Sequence, residues 1–338
     1  MSEQIHKLVN SRGNSVSFLA LGGTITAIEM PDRRGQRSNV VLAFSDLATY
    51  QTQCIYLGCI VGRYANRIAG ARFWLDGVEH KLAATDGTSC VHGGRRGFDK
   101  AVWRVTQDTE QSAMLTHHSP DGDEGFPGNL DVTVRYTLSD VDEFLIEYKA
   151  IADGPTIVNL TNHSYFNLAG EGSGDVLDHR LEVCASFYTP ADSLLIPSGV
   201  IDEVEGTPFD FRQPTAIGAR IRAAHPQMIA GRGYDLNYVV DRANPEGLAL
   251  AARLSDRGTG RVMEVLTTEP GLQLYTGNLL DGAILGSSGR LYRQSDGVCL
   301  ETHHYPDSPN KPTFPSSVLR PGDVYRSATI YRFAVSPQ

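Results

Sequence analysis

The chain has 338 residues, 41% of them hydrophobic, and a formal net charge of −9. This acidic balance disfavours nucleic acid as the main partner, because a phosphate backbone rewards concentrated positive charge. No apolar run approaches the roughly 20 residues that span a bilayer, and residues 1–9 lack the apolar core of a signal peptide. The five cysteines include no Cys-x-x-Cys pair and indicate reduced thiols. We therefore expect a cytoplasmic protein that does not associate with membranes.

The first regular pattern along the chain is helical. Apolar residues recur with the spacing of one helix face at Leu57, Ile60, Val61, Tyr64 and Ile68. This pattern predicts a helix, although Gly58 and Gly62 weaken it. A second helix, expected to be short, lies between Ala216 and Ala230.

Strands dominate the rest of the chain. Residues 130–138 alternate between apolar and polar side chains, and residues 145–151 follow after a four-residue turn, which predicts a hairpin. Similar short runs, separated by turn residues, are Arg180–Phe187, Arg261–Leu266, Gly271–Thr276, Val298–Thr302 and Tyr325–Phe333. Many short strands indicate an antiparallel sandwich or barrel. Because no linker or repeat divides the chain, we expect a single domain over residues 1–338.

Polar side chains interrupt this apolar pattern in five segments. The first, Gly62–Ile68, carries Asn66 and Arg67, whose fixed donors suit sugar hydroxyls or an oxyanion. The second, Val91–Phe98, places His92 beside glycines that allow close approach to a ligand. Helix capping by the arginines and a satisfied turn histidine are the structural alternatives.

The third segment, Asn159–Leu168, surrounds one imidazole, His163, with amides and aromatic side chains that include Tyr165. Such a mixture matches a sugar site, in which a ring lies on the C–H face and amides take the hydroxyls. The fourth pairs Asp235 with Gln273; each can hold hydroxyls, and turn capping by the Asp and Asn residues nearby is the alternative.

The fifth segment runs from Cys299 to Asn310 and places Glu301 at the end of an apolar strand. Burial of a carboxylate there would raise its pKa toward a useful value. The pair His303-His304 suggests a metal only weakly, because adjacent strand residues point to opposite faces. We therefore expect no metal. No Gly-x-Gly-x-x-Gly motif follows a strand, so we also expect no nucleotide cofactor.

In this order, the five segments resemble the aldose 1-epimerase (galactose mutarotase) family, and the resemblance covers nearly the whole chain. The motifs that carry it are Gly22-Gly23-Thr24-Ile25, Tyr56-Leu57-Gly58, Gly62-Arg63, Asn66-Arg67-Ile68, His92-Gly93-Gly94, Gly97-Phe98, Phe126-Pro127-Gly128, Asn162-His163-Ser164-Tyr165-Phe166-Asn167-Leu168, Tyr275-Thr276-Gly277-Asn278 and Pro306-Asp307-Ser308-Pro309-Asn310. Each motif alone is weak, but the ordered set is specific.

The resemblance implies an all-β fold, the antiparallel β-supersandwich of that family, with a cleft on one sheet. It implies Glu301 as general base and His163 as general acid in the interconversion of the α and β anomers of a free aldose. The sugar would be held by Asn66, Arg67, His92, Tyr165, Asp235 and Gln273. One departure is His303, where the family more often has glutamine, and it bears on substrate preference rather than on the reaction.

The chemistry fits these residue types. Opening a hemiacetal removes a proton from the anomeric hydroxyl and delivers one to the ring oxygen, so a base and an acid suffice without a cofactor. Histidine is only partly protonated at neutral pH. We expect a nearby carboxylate, Asp235 or another, to raise the pKa of His163 and fill its acid form.

Three other functions remain open at this stage. A glycoside hydrolase would use two carboxylates, for which Asp235 and Glu301 are candidates, but His163 would then lack a role. A sugar-binding regulatory protein would be expected to lose Glu301 or His163. A hexose-phosphate mutarotase would need a cationic pocket, and Arg95, Arg96 and Lys100 are the candidates for it. The sequence predicts neither the physiological aldose nor the oligomeric state.

Overall fold

The structure, a computed structural model, describes residues 4–52, 55–244 and 247–336. The strands of the first half are β1 (Ile5–Val9), β2 (Ser15–Leu19), β3 (Ile25–Pro31), β4 (Arg37–Asn39), β5 (Ile60–Val61), β6 (Arg67–Ile68), β7 (Arg72–Leu75), β8 (Val78–Lys81), β9 (Cys90–Val91), β10 (Arg104–Gln107), β11 (Ser112–Ser119), β12 (Leu130–Leu138), β13 (Glu143–Ala152), β14 (Thr156–Ile157) and β15 (Thr161–Asn162). Helix is scarce in this half: one short α-helix, α1 (Leu47–Thr52), and 3₁₀ turns at Ala69–Ala71, Phe98–Lys100 and Asp123–Gly125.

The second half repeats this pattern. Its strands are β16 (Arg180–Val183), β17 (Phe187–Thr189), β18 (Asp202–Glu203), β19 (Thr215–Ala216), β20 (Asp235–Val239), β21 (Ala249–Ser255), β22 (Arg261–Thr267), β23 (Gly271–Tyr275), β24 (Asp281–Leu285), β25 (Leu291–Arg293), β26 (Cys299–His303), β27 (Val318–Leu319) and β28 (Tyr325–Val335). Its helical pieces are α2 (Pro226–Gly231) and 3₁₀ turns at Ile217–Ala219 and Ser308–Asn310.

Two large sheets organise these strands. A nine-stranded sheet has the order β10-β11-β12-β13-β28-β22-β21-β16-β19, and a five-stranded sheet has the order β18-β17-β20-β23-β26. Every strand pair in both sheets is antiparallel. The all-β, antiparallel β-supersandwich expected from the sequence is thus confirmed. The predicted hairpin is confirmed as well: β12 and β13 pair from Leu130 with Ala152 to Leu138 with Phe144.

One hydrophobic core joins the two sheets. Leu272 and Leu300 of the five-stranded sheet belong to the same buried cluster as Val134 and Tyr331 of the nine-stranded sheet. The Tyr331 hydroxyl donates across the interface to the Leu300 carbonyl at 3.4 Å. Leu236 of β20 belongs to this cluster as well. Because strand side chains alternate between faces, the residues next to these three leucines point away from the core. This second face of the five-stranded sheet is polar, and it carries the site described below.

The helix predicted from Leu57 to Ile68 is wrong. The segment contains β5, which pairs with β15, and β6, which pairs with β9. Residues 57–66 are buried on every side rather than along one stripe, so their spacing reflects general burial instead of an amphipathic helix face. Gly58 has φ +75, and a Cβ there would lie 2.2 Å from the Ile25 carbonyl oxygen, so the chain needs glycine at this turn.

The second predicted helix is confirmed only in part. Between Ala216 and Ala230 the chain forms the 3₁₀ turn Ile217–Ala219 and then α2, which begins at Pro226. Proline has no backbone N–H to donate, so it suits the first turn of a helix and prevents a continuous helix through this point. In the described ranges, no helix is long and apolar enough to cross a bilayer.

A buried ion pair lies at one end of β26. His304 Nδ1 is 2.7 Å from Glu269 Oε2, and the Tyr325 hydroxyl donates to the other carboxylate oxygen at 2.8 Å. Burial opposes the ionisation of Glu269, but the charge and hydrogen bond of His304 outweigh it, so the pKa of Glu269 is lowered. Burial likewise opposes the charge of His304, and Glu269 outweighs it, so the pKa of His304 is raised.

We expect Glu269→Gln to lower the free energy of unfolding by about 3–5 kcal/mol, because removing one partner leaves the other charge buried and uncompensated. The His304 contribution is full below its ordinary pKa of 6.5 and is lost as pH rises through the raised value. The Glu269 contribution is full above 4.5 and is lost as pH falls through the lowered value. Urea unfolding at pH 5.5 and pH 9 should therefore show the larger loss at pH 5.5.

The exposed Glu147 of β13 provides the matched control, and Glu147→Gln should unfold as the wild type does. If Glu269→Gln and Glu147→Gln have equal unfolding free energies at pH 5.5, the ion pair does not stabilise the fold.

Candidate active site

A cleft of about 630 Å³ opens on the polar face of the five-stranded sheet. Its lining consists of Ile55, Tyr56, Arg67, Ala84, Thr85, Asp86, Val91, Gly94, Arg95, His163, Tyr165, Asp235, Tyr275, Leu279 and Glu301. Five of the eight side chains that the sequence singled out therefore meet in one cavity: Arg67, His163, Tyr165, Asp235 and Glu301. The other three, Asn66, His92 and Gln273, are not among the lining residues, although the His92 ring lies next to His163, with centroids 5.2 Å apart.

The two residues assigned to proton transfer are neighbours in the cleft. Glu301 is the third residue of β26, and His163 directly follows β15. His163 Nε2 lies 3.6 Å from Glu301 Oε1. Both residues are almost fully buried, with 4% and 2% of their surfaces exposed. The structure therefore brings an imidazole nitrogen and a carboxylate oxygen within reach of the same small ligand.

Burial governs the protonation of this pair. It raises the pKa of Glu301 well above its ordinary value, Asp235 adds to the shift, and Arg67 opposes it. Burial also lowers the pKa of His163 to about 4. The expectation that a carboxylate would raise the pKa of His163 is wrong, because the loss of hydration of the imidazolium outweighs any nearby negative charge. Both shifts favour the neutral form of the group, a protonated carboxyl for Glu301 and an unprotonated imidazole for His163.

Aromatic rings and a thiol hold His163 in place. Its imidazole stacks on the Tyr165 ring, with centroids 5.1 Å apart, and Nδ1 lies 3.5 Å from the Cys299 sulfur. The Tyr165 hydroxyl donates to the Ile55 carbonyl at 2.9 Å. Tyr165 therefore fixes the plane of the imidazole and forms part of the wall of the cleft.

His92 presents a hydrogen-bond donor to the site. The backbone N–H of Asn66 donates to its Nδ1 at 3.2 Å, so neutral His92 carries its proton on Nε2. Asn66 itself adopts φ 63, and its side-chain oxygen accepts the backbone N–H of Arg67 at 2.8 Å. Asn66 thus positions His92 and Arg67, whichever ligand they contact.

Donor atoms of His92, His163 and Glu301 lie within 4.8 Å of one another, close enough to be considered as metal ligands. Ligation through Nε2 of His92 would force its proton onto Nδ1, where the Asn66 N–H already donates. That hydrogen bond would be lost, so the protonation imposed on His92 does not fit a metal ligand. The same arrangement suits hydrogen bonding to an uncharged ligand.

Asp235 is held from two sides. The Gln273 amide nitrogen donates to one carboxylate oxygen at 2.5 Å, and Arg67 Nη1 lies 3.8 Å from the other. Arg67 is itself anchored by Asp86, whose carboxylate accepts from Nε at 2.8 Å. Among the groups predicted to hold hydroxyls, Asp235 and Arg67 face the cleft, and Gln273 orients Asp235.

Not every polar residue of the predicted segments serves the cleft. Arg63 is 2% exposed, and its guanidinium donates to carbonyl oxygens of Ser119, Pro120, Pro127 and Gly128. It ties together the two ends of the connection between β11 and β12 and has a structural role. The cleft is also lined by residues to which the sequence analysis gave no role, among them Asp86 and Tyr275. The sequence around Asp86 does not indicate a functional residue, because only the pairing of β6 with β9 brings Asp86 next to Arg67.

A second cavity of about 690 Å³ borders the cleft. It is lined by Arg95, Arg96 and Lys100, the cationic residues considered for phosphate, and Arg95 lines both cavities. Lys100 Nζ is 3.4 Å from the Asp99 carboxylate, so its charge is already compensated. The exposed Arg95 and Arg96 supply positive charge to this neighbouring cavity.

Comparison with known proteins identifies relatives over almost the whole chain. The family model described as aldose 1-epimerase matches residues 4–332. The chain is 45% identical to rat galactose mutarotase over 322 residues, covering 95% of this chain and 92% of the rat protein. It is 38% identical to the aldose 1-epimerase of Escherichia coli strain K12, covering 91% of this chain and 88% of that protein.

Solved structures agree. A GalM/aldose epimerase homologue from C. elegans has a TM-score of 0.92 and 28% identity, covering 99% of this chain and 100% of that one. Galactose 1-epimerase from Lactobacillus acidophilus has a TM-score of 0.85 and 29% identity, covering 98% of this chain and 94% of that one.

Proposed function

The chain belongs to the aldose 1-epimerase family and is a mutarotase, and we propose that Glu301 and His163 carry the proton transfers that interconvert the anomers of its sugar. The observation that supports this assignment is the 3.6 Å approach of His163 Nε2 to Glu301 Oε1 inside the cleft. A carboxylate and an imidazole at this separation can reach the two oxygens on one anomeric carbon.

In the proposed reaction, Glu301 takes the proton of the anomeric hydroxyl while His163 delivers a proton to the ring oxygen. The ring C–O bond breaks, and the anomeric carbon becomes an aldehyde. Rotation about the C1–C2 bond turns the other face of the aldehyde toward the ring hydroxyl, and the same two groups close the ring by the reverse transfers. One proton is taken up and one is delivered in each direction, and the sugar is neither oxidised nor reduced, so the reaction needs no cofactor.

The pair works with one proton between its two members. In this proposal the pair holds its proton on Glu301 in the free protein. Reaction with the ring form of the sugar requires the proton on His163 instead. The two forms of the pair therefore differ only in which of the two residues, 3.6 Å apart, carries the proton. Because the total number of protons is the same, activity needs exactly one proton on the pair. Addition of a second proton to His163 sets the acidic limb of the pH profile, and loss of the proton from Glu301 sets the basic limb.

The ligand-facing side chains fit a free aldose. Asp235 accepts hydrogen bonds from hydroxyls, Arg67 and His92 donate, and the ring of Tyr165 provides an apolar surface for the C–H face. We propose an aldohexose such as galactose as substrate, the sugar in the name of the rat relative.

We also propose that residues 1–338 form a single domain and that the protein is cytoplasmic. The one core that joins both large sheets supports the single domain.

Polarimetry of freshly dissolved α-anomers tests this function. We expect the protein to accelerate mutarotation of galactose and glucose in proportion to its concentration, and the rate to survive exhaustive treatment with EDTA. Galactose 6-phosphate, added as a further substrate, separates a free-sugar enzyme from one whose cationic neighbour cavity serves phosphate. Absence of acceleration with every sugar, or loss with EDTA and recovery with a divalent ion, would refute the proposal.

A further inference from the structure

The two nitrogens of the His163 imidazole have different partners. Nε2 lies 3.6 Å from Glu301 Oε1, and Nδ1, on the other edge of the ring, lies 3.5 Å from the Cys299 sulfur. A neutral imidazole carries one hydrogen, which sits on only one of its nitrogens. The position of that hydrogen decides whether Nε2 can take up a proton from Glu301 and pass it to the sugar.

A single strand supplies both contacts. Cys299 and Glu301 are two residues apart on β26, so their side chains point to the same face of the sheet, and Leu300 between them lies in the core. The imidazole of His163 stands between the sulfur and the carboxyl and meets one with each nitrogen. Cys299 is fully buried, and burial raises the pKa of its thiol well above the ordinary value, so the sulfur is uncharged at neutral pH.

The surroundings of Nε2 favour a nitrogen without a hydrogen. His92, whose Nδ1 accepts from the Asn66 backbone, presents its Nε2–H to the site, and one polar atom each of His92, His163 and Glu301 lies within 4.8 Å of the other two. Burial raises the pKa of Glu301, so its carboxyl brings a further hydrogen. A hydrogen on Nε2 of His163 would be a third donor in this small space, whereas an unprotonated Nε2 supplies an acceptor.

The surroundings of Nδ1 favour a nitrogen that carries the hydrogen. The backbone carbonyl of His163 accepts a hydrogen bond from its own ring, which opposes the lowering of the His163 pKa. Only Nδ1 can make this contact, because Nε2 lies on the far side of the ring from the backbone. The Cys299 thiol fits the same arrangement, since its sulfur can accept and its S–H is so weak a donor that leaving it unpaired costs little.

We propose that the Cys299 sulfur accepts a hydrogen bond from Nδ1–H of His163 and so keeps Nε2 as the nitrogen that gains and loses the catalytic proton. Cys299 is then a positioning residue, because it acts through His163 and is not among the residues that line the cleft. The same N–H···S contact is present whether or not Nε2 is protonated, so the proton transfers need no movement of the ring. This inference rests on the proposed function, since it concerns the acid of that reaction.

NMR of sugar-free protein labelled with ¹⁵N-histidine tests the proposal at pH 7, where a pKa of about 4 leaves His163 neutral. Long-range ¹H–¹⁵N correlations distinguish a protonated from an unprotonated ring nitrogen, and the His163 signals are assigned by their loss in His163→Asn. We expect a protonated Nδ1 and an unprotonated Nε2 in the wild type. A wild-type His163 with its hydrogen on Nε2 would overturn the proposal.

Cys299→Ala removes the acceptor. The ratio of the Nδ1–H form of His163 to the Nε2–H form should then fall by about 2–12-fold, the effect of one hydrogen bond on an equilibrium. We expect kcat to fall by a similar factor with KM unchanged, because the reactive form needs a hydrogen on Nδ1 while the thiol does not touch the sugar. Cys299→Val, which removes the sulfur but fills its space, should show the same changes and serves if the alanine variant does not fold.

Cys184 gives the matched control, because it directly follows β16 of the nine-stranded sheet and carries a free thiol that does not line the cleft. Cys184→Ala should match the wild type in the ratio of the two forms and in kcat. A ratio that stays at the wild-type value in folded Cys299→Ala or Cys299→Val overturns the proposal. Because the NMR signal needs no turnover, an inactive wild type with its hydrogen on Nδ1 would instead contradict the proposed catalytic roles.

Discussion

Glu301→Gln is expected to lower kcat for mutarotation by about 10²–10⁴-fold, the usual contribution of one positioned general base. The amide keeps the shape of the carboxyl in the middle of β26, so the sugar should still bind and KM should change little. The loss arises in the proton-transfer step, because an amide cannot take the proton of the anomeric hydroxyl. Polarimetry with α-galactose over a range of concentrations separates kcat from KM.

Glu147→Gln, at an exposed position of β13, should keep wild-type kinetics and excludes a general effect of removing one negative charge. A Glu301→Gln enzyme that retains the wild-type kcat would remove Glu301 from the mechanism. A protein that binds sugar while neither wild type nor variant accelerates mutarotation would instead be a regulatory sugar-binding protein.

His163→Asn is expected to cause a loss of similar size, about 10²–10⁴-fold in kcat, because it removes the group proposed to protonate the ring oxygen. Asparagine retains a polar side chain next to Cys299 and the Tyr165 ring, which limits structural damage. The acidic limb of the pH profile should also disappear, since His163 is the group that takes up the second proton. Initial rates between pH 3.5 and pH 7 measure both effects.

His118→Asn is the control for His163→Asn, since its imidazole is exposed and remote from the cleft. An acidic limb that persists unchanged in His163→Asn would assign that limb to another group and contradict the proposed acid.

The β-rich architecture could be predicted from local patterns, because alternation with period two survives in strands with one buried face. The hairpin of β12 and β13 is the clearest example, since polar residues mark its outer face along the full length. The segment from Leu57 to Ile68 shows where this approach fails. Its residues are buried from several sides by distant parts of the chain, and a one-dimensional pattern does not report from which direction burial comes.

The residues of the candidate site could be predicted from the sequence. Which of them face the cleft, and which support those residues from behind, could not be predicted. The sequence singled out Asp235 and Gln273 equally as groups that hold hydroxyls. Only the pairing of β20 with β23 shows that Gln273 stands behind Asp235 and donates to it. Arg63, adjacent to the same motif as Arg67, turns to the opposite side and binds carbonyl oxygens.

The protonation of the catalytic pair was beyond sequence reasoning for a physical reason. Charges near His163 were inferred from the residue types, and they suggested a raised pKa. The deciding quantity is the extent of burial, which depends on how loops close over the polar face, and burial lowers the pKa of His163 to about 4. The same burial raises the pKa of Glu301. We therefore expect the acidic limb of the pH profile to come from His163 and the basic limb from Glu301, the reverse of what ordinary pKa values would give.

The most direct test of the shared-proton mechanism is the kcat of the double variant Glu301→Gln/His163→Asn, measured by polarimetry beside the two single variants. Groups that act in one concerted sequence show losses far from additive. We predict that the double variant is no more than about tenfold slower than the slower single variant. Losses that multiply, so that the double variant falls by the product of the two single effects, would show that Glu301 and His163 act independently and would contradict the mechanism.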